Sequence, residues 1–83
     1  MITGLQIRCA RAALRWTSAQ VATAAGVGIQ TVKRFEAYDG VPPSRSSSLV
    51  AIRGAMEAAG IEFIGTPDDG PGIRIRPSPK DRA

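Results

Sequence analysis

The sequence predicts a mainly α fold, in which four short helices are followed by a C-terminal β-hairpin. Up to residue 60, apolar residues recur at intervals of three and four, which is typical of helices with one buried face. After residue 60 they alternate with charged residues, which favours strands. A chain of 83 residues makes one domain with a thin core, so association with a second copy is an expected source of stability.

The first helix is predicted over residues 4–15. It carries a basic stripe of Arg8, Arg11 and Arg15, and the pattern leaves open whether Arg8 and Arg15 contact phosphate or only favour solubility. One side of the helix is apolar and is expected to be buried. That side comprises Leu5, Cys9, Ala12, Ala13 and Trp16, with Ile7 and Leu14 close to it.

Residues 18–25 are predicted to form a second helix that begins with a capping box. Thr17 and Gln20 stand three residues apart, so each side chain can bond the backbone amide of the other. Gly26 ends the helix, because glycine tolerates the positive φ that a chain reversal requires. A third helix is predicted over 29–37. Two short helices around one tight turn make a helix-turn-helix, whose second helix can enter the major groove of DNA.

A fourth helix is predicted over 49–59 and ends at Gly60. The segments 61–64 and 73–76 are predicted to pair as a hairpin with a long tip of turn residues over 65–72.

The predicted organisation is a helical domain over 1–60, a hairpin over 61–76 and a disordered tail over 77–83. The apolar strand residues can pack on the helices or against a second copy. Because an open edge strand is prone to aggregation, we expect the hairpin to form a dimer interface. Its residues are Ile61, Phe63, Ile64, Ile73 and Ile75.

The net charge of +4 belongs to the helical part. Residues 1–60 carry seven Lys or Arg against three Asp or Glu, whereas residues 61–83 carry four of each sign. A basic helical domain is typical of nucleic-acid binding.

Other features weigh against an enzyme. The chain has no His, one Cys, no obvious pair of carboxylates and no phosphate-binding glycine motif. We therefore expect no catalytic residue, no metal and no cofactor. The first residues contain no long apolar run, so we expect no signal peptide or membrane span and a cytoplasmic location.

The run IRCARAALRWTSAQVATAAGVGIQTVKRFEA resembles the DNA-binding domain of the Cro/repressor-like XRE family of bacterial regulators. The resemblance covers residues 5–59 and is strongest over 16–37, where Ala22 and Gly26 fall at the family's spacing. It implies a four-helix, lambda-repressor-like helix-turn-helix domain. The chain departs from the family at its hairpin, where the family usually has a fifth helix.

The resemblance also implies roles for individual residues. It makes Arg11 and Glu36 a structural ion pair. Gly28 replaces the Ser or Thr that usually caps the third helix. The implied base contacts are Ile29, Gln30, Lys33 and Arg34, where Gln suits the donor and acceptor of adenine and Lys or Arg suits guanine. The implied phosphate contacts are Thr17, Ser18, Gln20, Arg45 and Ser46.

The function expected from these features is sequence-specific binding of double-stranded DNA. The chain would act as a homodimeric transcriptional repressor that reads an inverted-repeat operator through the third helix. Two alternatives stay open. One is an antitoxin-type module that binds its operator and also engages a protein partner through residues 61–76. The other is an excisionase-like architectural factor of a mobile element.

Overall fold

A computed structural model describes residues 2–43 and 46–76 of the 83-residue chain. Within these ranges, four helices precede a two-stranded antiparallel sheet, so the mainly α architecture with a C-terminal hairpin is confirmed. The predicted disordered tail, residues 77–83, lies outside the described residues. The helices are α1 (Gly4–Leu14), α2 (Ser18–Ala25), α3 (Ile29–Glu36) and α4 (Ser46–Ala58), and the strands are β1 (Ile61–Thr66) and β2 (Asp69–Ile75).

The ends of α2 follow the local sequence. The Gln20 amide donates to the Thr17 hydroxyl over 3.1 Å, and the Thr17 amide donates to Gln20 Oε1 over 2.7 Å, so the predicted capping box is confirmed. Gly26 ends the helix with a φ of 69°, as predicted. A second capping box, between Thr3 and Gln6, begins α1 and was not predicted.

Helix α4 begins at Ser46, three residues before the predicted start. Serine is common both at a cap and in a first turn, so a run of three serines does not identify which one opens the helix.

The buried face of α1 is mostly opposite to the predicted one, and only Ile7, Leu14 and Trp16 are buried or partly buried as expected. Leu5 is 41% exposed and Cys9 is exposed, as are Ala12 and Ala13, whereas Ile7 and Ala10 are fully buried. The reason is that Gln6 is buried beside Ile7, where all the polar atoms of its side chain are hydrogen-bonded. Apolar periodicity does not detect a polar residue on a buried face.

The hairpin is tighter than predicted. Only Pro67 and Asp68 separate the strands, and Thr66 pairs with Asp69 across the turn. The predicted long tip is therefore wrong. The strands continue through the turn-rich residues because Gly65 adopts a φ of 76° at an irregularity between Ile64 and Thr66.

The hairpin closes the same core as the helices. Ile61 is only 2% exposed, and Phe63 and Ile73 are partly buried against the core. The expectation that Ile61 contacts a second copy is therefore wrong, because its own chain already encloses its side chain. Ile75 pairs with Ile61 but is 67% exposed, and Ile64 is half-buried. The core residues are Ile2, Ile7, Ala10, Val21, Ala22, Val32, Phe35, Leu49, Ile52, Met56 and Ile61.

In the part of the chain that the structure describes, no helix combines the length and the apolar character needed to cross a bilayer.

Candidate nucleic-acid interface

Helices α2 and α3 pack against each other around the turn that follows Gly26. The inner face of α3 carries Val32 and Phe35, both fully buried. At 100° per residue, this leaves the opposite face of the helix to solvent. Glycine at position 28 caps α3 without a side-chain hydrogen bond.

The four residues expected to contact bases lie on α3 and are all exposed. Gln30, Lys33 and Arg34 are exposed, and Ile29 is at the margin of the face with 37% exposure. The Arg34 guanidinium carbon lies 5.7 Å from the centroid of the Phe35 ring, a distance at which the cation and the ring attract. The outer face of α3 thus offers an amide, two cations and an aliphatic group.

The first turn of α2 retains hydrogen-bond donors although its cap is complete. Thr17 Oγ1 and Gln20 Oε1 accept within the capping box. The backbone amides of Ser18 and Ala19 have no acceptor inside the helix, as is general for a first turn. The Nε2 group of Gln20 is a further donor on an exposed side chain. Of the other expected phosphate contacts, Arg45 and the side chain of Ser46 lie outside the described residues.

The end of α3 is held by two arginines of α1. Arg11 Nε donates to both carboxylate oxygens of Glu36, over 2.8 and 3.1 Å, so the expected ion pair is present. Arg8 donates to the Glu36 carbonyl and, over 2.6 Å, to the Asp39 carboxylate. Cations at a helix C-terminus also interact favourably with the helix dipole. These contacts orient α3 relative to α1.

The ion pairs divide the positive charges into two groups. Among the residues described, Arg15, Lys33 and Arg34 have no carboxylate partner. The sequence could not identify this unpaired group, because every carboxylate partner except Glu57, which lies on the same helix as Arg53, comes from another part of the fold. The paired cations are Arg8 with Asp39, Arg11 with Glu36, Arg53 with Glu57, and Arg74 and Arg76 with Glu62.

An open hollow of about 390 Å³ lies beside the exposed side of α2. It exists because small alanines follow the bulky Trp16 there. Trp16 itself packs partly against the core, as predicted. The hollow is lined by Trp16, Ala19, Gln20, Thr23 and Ala24.

The two helices together present hydrogen-bond donors and uncompensated positive charge. Donors and cations suit a polyanion, and an exposed helix can reach base edges in a groove. A scan of protein-family models finds none that matches this chain, and a search of curated proteins finds no significant relative. The geometry of this surface is therefore the basis for assigning a function to the chain.

Proposed function

We propose that this chain is a sequence-specific DNA-binding regulator of transcription, with a lambda-repressor-like helix-turn-helix in which α3 reads the bases. The observation that carries the proposal is the distribution of unpaired charge. Lys33 and Arg34, two of the three described cations without a carboxylate partner, share the exposed face of α3. Unpaired cations attract the phosphate backbone, and the neighbouring amide of Gln30 can form hydrogen bonds with base edges in a groove.

Each side chain on this face has a chemical counterpart on a base pair. Gln30 can accept from adenine N6 and donate to N7. Lys33 and Arg34 donate to guanine O6 and N7 or to a phosphate. Ile29 offers an aliphatic contact to a thymine methyl group. In this arrangement the first turn of α2 meets a phosphate of the same half-site.

Two copies are proposed to bind one inverted repeat. An eight-residue helix such as α3 is about 12 Å long, at 1.5 Å per residue. It therefore spans only about four base pairs, at 3.4 Å each. A second copy doubles the sequence that is read and places the two half-sites about 34 Å apart. Among the expected interface residues, Ile64 and Ile75 remain accessible to a partner. Occupation of a promoter by this dimer would repress transcription.

Selection from a random duplex library with the full chain tests the proposal. We expect an inverted repeat to be enriched and then to bind more tightly than scrambled duplex in an anisotropy titration. Gln30→Ala should weaken discrimination at one base pair of each half-site by about 1–3 kcal/mol.

The matched control is Arg53→Gln, which removes a cation already paired with Glu57 and should leave discrimination unchanged. Equal affinity of the unaltered chain for all duplexes would contradict the proposal.

A further inference from the structure

Arg15 forms the corner between α1 and α2 in an unusual backbone conformation. Its φ of 57° is the only positive φ of a non-glycine residue in the described ranges. The corner is closed by backbone hydrogen bonds, from the Arg15 amide to the Ala12 carbonyl over 3.1 Å and from the Trp16 amide to the Arg11 carbonyl over 3.0 Å. Arg11 Nη1 also donates to the Trp16 carbonyl, over 3.3 Å. Glycine would make the same bonds without the steric strain that a Cβ introduces in this region.

The side chain of Arg15 contributes no polar contact to the described fold. It is exposed and makes no hydrogen bond or ion pair with the residues that the structure describes. The other two arginines of α1 differ, since Arg8 binds Asp39 and Arg11 binds Glu36. From the sequence, Arg8 and Arg15 were equivalent candidates for a phosphate contact. The structure distinguishes them, because of the two only Arg8 has a carboxylate partner among the described residues.

The corner adjoins the start of α2. Thr17 follows two residues later, and the first-turn amides carry the partial positive charge of a helix N-terminus. A guanidinium beside a positive helix end is unfavourable unless an anion interacts with both. The proposed DNA complex supplies such an anion at this place.

We propose that Arg15 contacts a phosphate of the DNA backbone, and that the contact surface extends from α3 past the start of α2 to the α1–α2 corner. The inference rests on the proposed function. The ligand is the sugar-phosphate backbone of a duplex and carries no base sequence information. The three unpaired cations Arg15, Lys33 and Arg34 then form one surface, whereas Arg8 stays with Asp39.

Arg15→Gly tests this assignment without risk of unfolding, because glycine suits the positive φ. We expect the urea midpoint to rise and DNA affinity to fall by about eightfold at 0.1 M salt, the value for one lost phosphate contact. The slope of log affinity against log salt should become shallower by about 0.9, with the same bases preferred. Arg15→Lys should keep the slope of the unaltered chain.

Arg53→Gln is the control, because it removes one positive charge that already has a partner. It should leave the slope unchanged. An Arg15→Gly protein with the slope and affinity of the unaltered chain would overturn the assignment.

The two proposals fail in different ways. If the unaltered chain binds all duplexes equally, the proposal of a sequence-specific regulator is wrong. The dependence of affinity on salt, measured with any duplex, still tests the role of Arg15. A changed slope with retained base preference supports both.

Discussion

Arg11 Nε lies 2.8 Å from Oε2 and 3.1 Å from Oε1 of Glu36, which joins the middle of α1 to the last residue of α3. The Glu36 carboxylate is buried, whereas the Arg11 side chain is 31% exposed. Loss of the ion pair is therefore more costly for the buried carboxylate than for the partly exposed arginine. The pair therefore holds the end of the proposed reading helix in place.

Removal of Arg11 should destabilise the protein more than removal of an exposed partner. Arg11→Met leaves the Glu36 carboxylate buried and unpaired, and we expect the free energy of unfolding to fall by about 3 kcal/mol in urea titrations. Arg53→Met breaks an exposed pair and should cost less than about 1 kcal/mol. The double variant Arg11→Met/Glu36→Leu should recover most of the loss. Equal effects of the two single variants would show that Glu36 is not dependent on Arg11.

Gln6 and Gln20 occupy the same capping-box position but should respond differently to Glu. The Nε2 of Gln6 donates to the carbonyls of Ile64 over 3.2 Å and Gly72 over 2.9 Å, whereas Gln20 is exposed. Gln6→Glu replaces the donor with an ionised oxygen, so we expect a loss of about 2–3 kcal/mol at neutral pH. Gln20→Glu should change stability by less than about 0.5 kcal/mol, because Glu also completes a capping box.

The loss in Gln6→Glu should shrink as the pH falls from neutral toward about 4.3, the ordinary pKa of Glu, because the protonated carboxyl can donate to one carbonyl. Chemical denaturation of both proteins at neutral pH and near pH 4 measures how the loss changes with pH. A loss that does not depend on pH would point to packing as its cause.

Gly4 allows α1 to approach the end of α3 closely. A Cβ at this position would overlap the carbonyl oxygens of Phe35 and Tyr38. Gly4→Ala should therefore destabilise the protein by about 1–3 kcal/mol in thermal unfolding. Gly54→Ala, in the open middle of α4, should stabilise by about 0.5–1 kcal/mol. Stabilisation by both alanines would contradict the close approach of α1 and α3.

Ile61 and Ile75 pair across the sheet but differ in burial. Ile61→Ala should lower the free energy of unfolding by about 2–5 kcal/mol, because it leaves a cavity in the core. Ile75→Ala should cost less than about 0.5 kcal/mol, because the side chain is already exposed. Equal costs, measured in urea, would contradict the difference in burial between the two residues.

The hydrogen bond from Arg76, over 2.5 Å, together with the charge of Arg74, lowers the pKa of Glu62 below its ordinary value of 4.5. A lowered pKa in the folded state favours folding at neutral pH. This contribution declines from about pH 4.5 downward and is lost as the pH falls through the folded pKa. NMR titration of the Glu62 carboxyl carbon should show the low pKa, and Arg76→Gln should raise it. A Glu62 titration that is unaffected by Arg76→Gln would assign the shift to another cause.

Much of the candidate site was predictable because its signals are local. The capping box of Thr17 and Gln20 and the turn at Gly26 depend on residues within a few positions of each other, and all appear as predicted. The exposure of Gln30 and Lys33 follows from the burial of Val32 and Phe35 on the same helix. The sequence could not distinguish Arg15 from Arg8 as a phosphate contact, because the difference depends on which carboxylates the fold brings close to each arginine.

The sequence by itself determined the four helices, the turn between α2 and α3, and the presence of a C-terminal hairpin. Only the tertiary structure decided which face of α1 is buried, that Ile61 belongs to the core of its own chain, and which cations keep an unpaired charge. The physical reason is distance along the chain. The deciding contacts join Arg11 to Glu36, 25 residues apart, and Gln6 to Gly72, 66 residues apart, and periodicity carries no information about such partners.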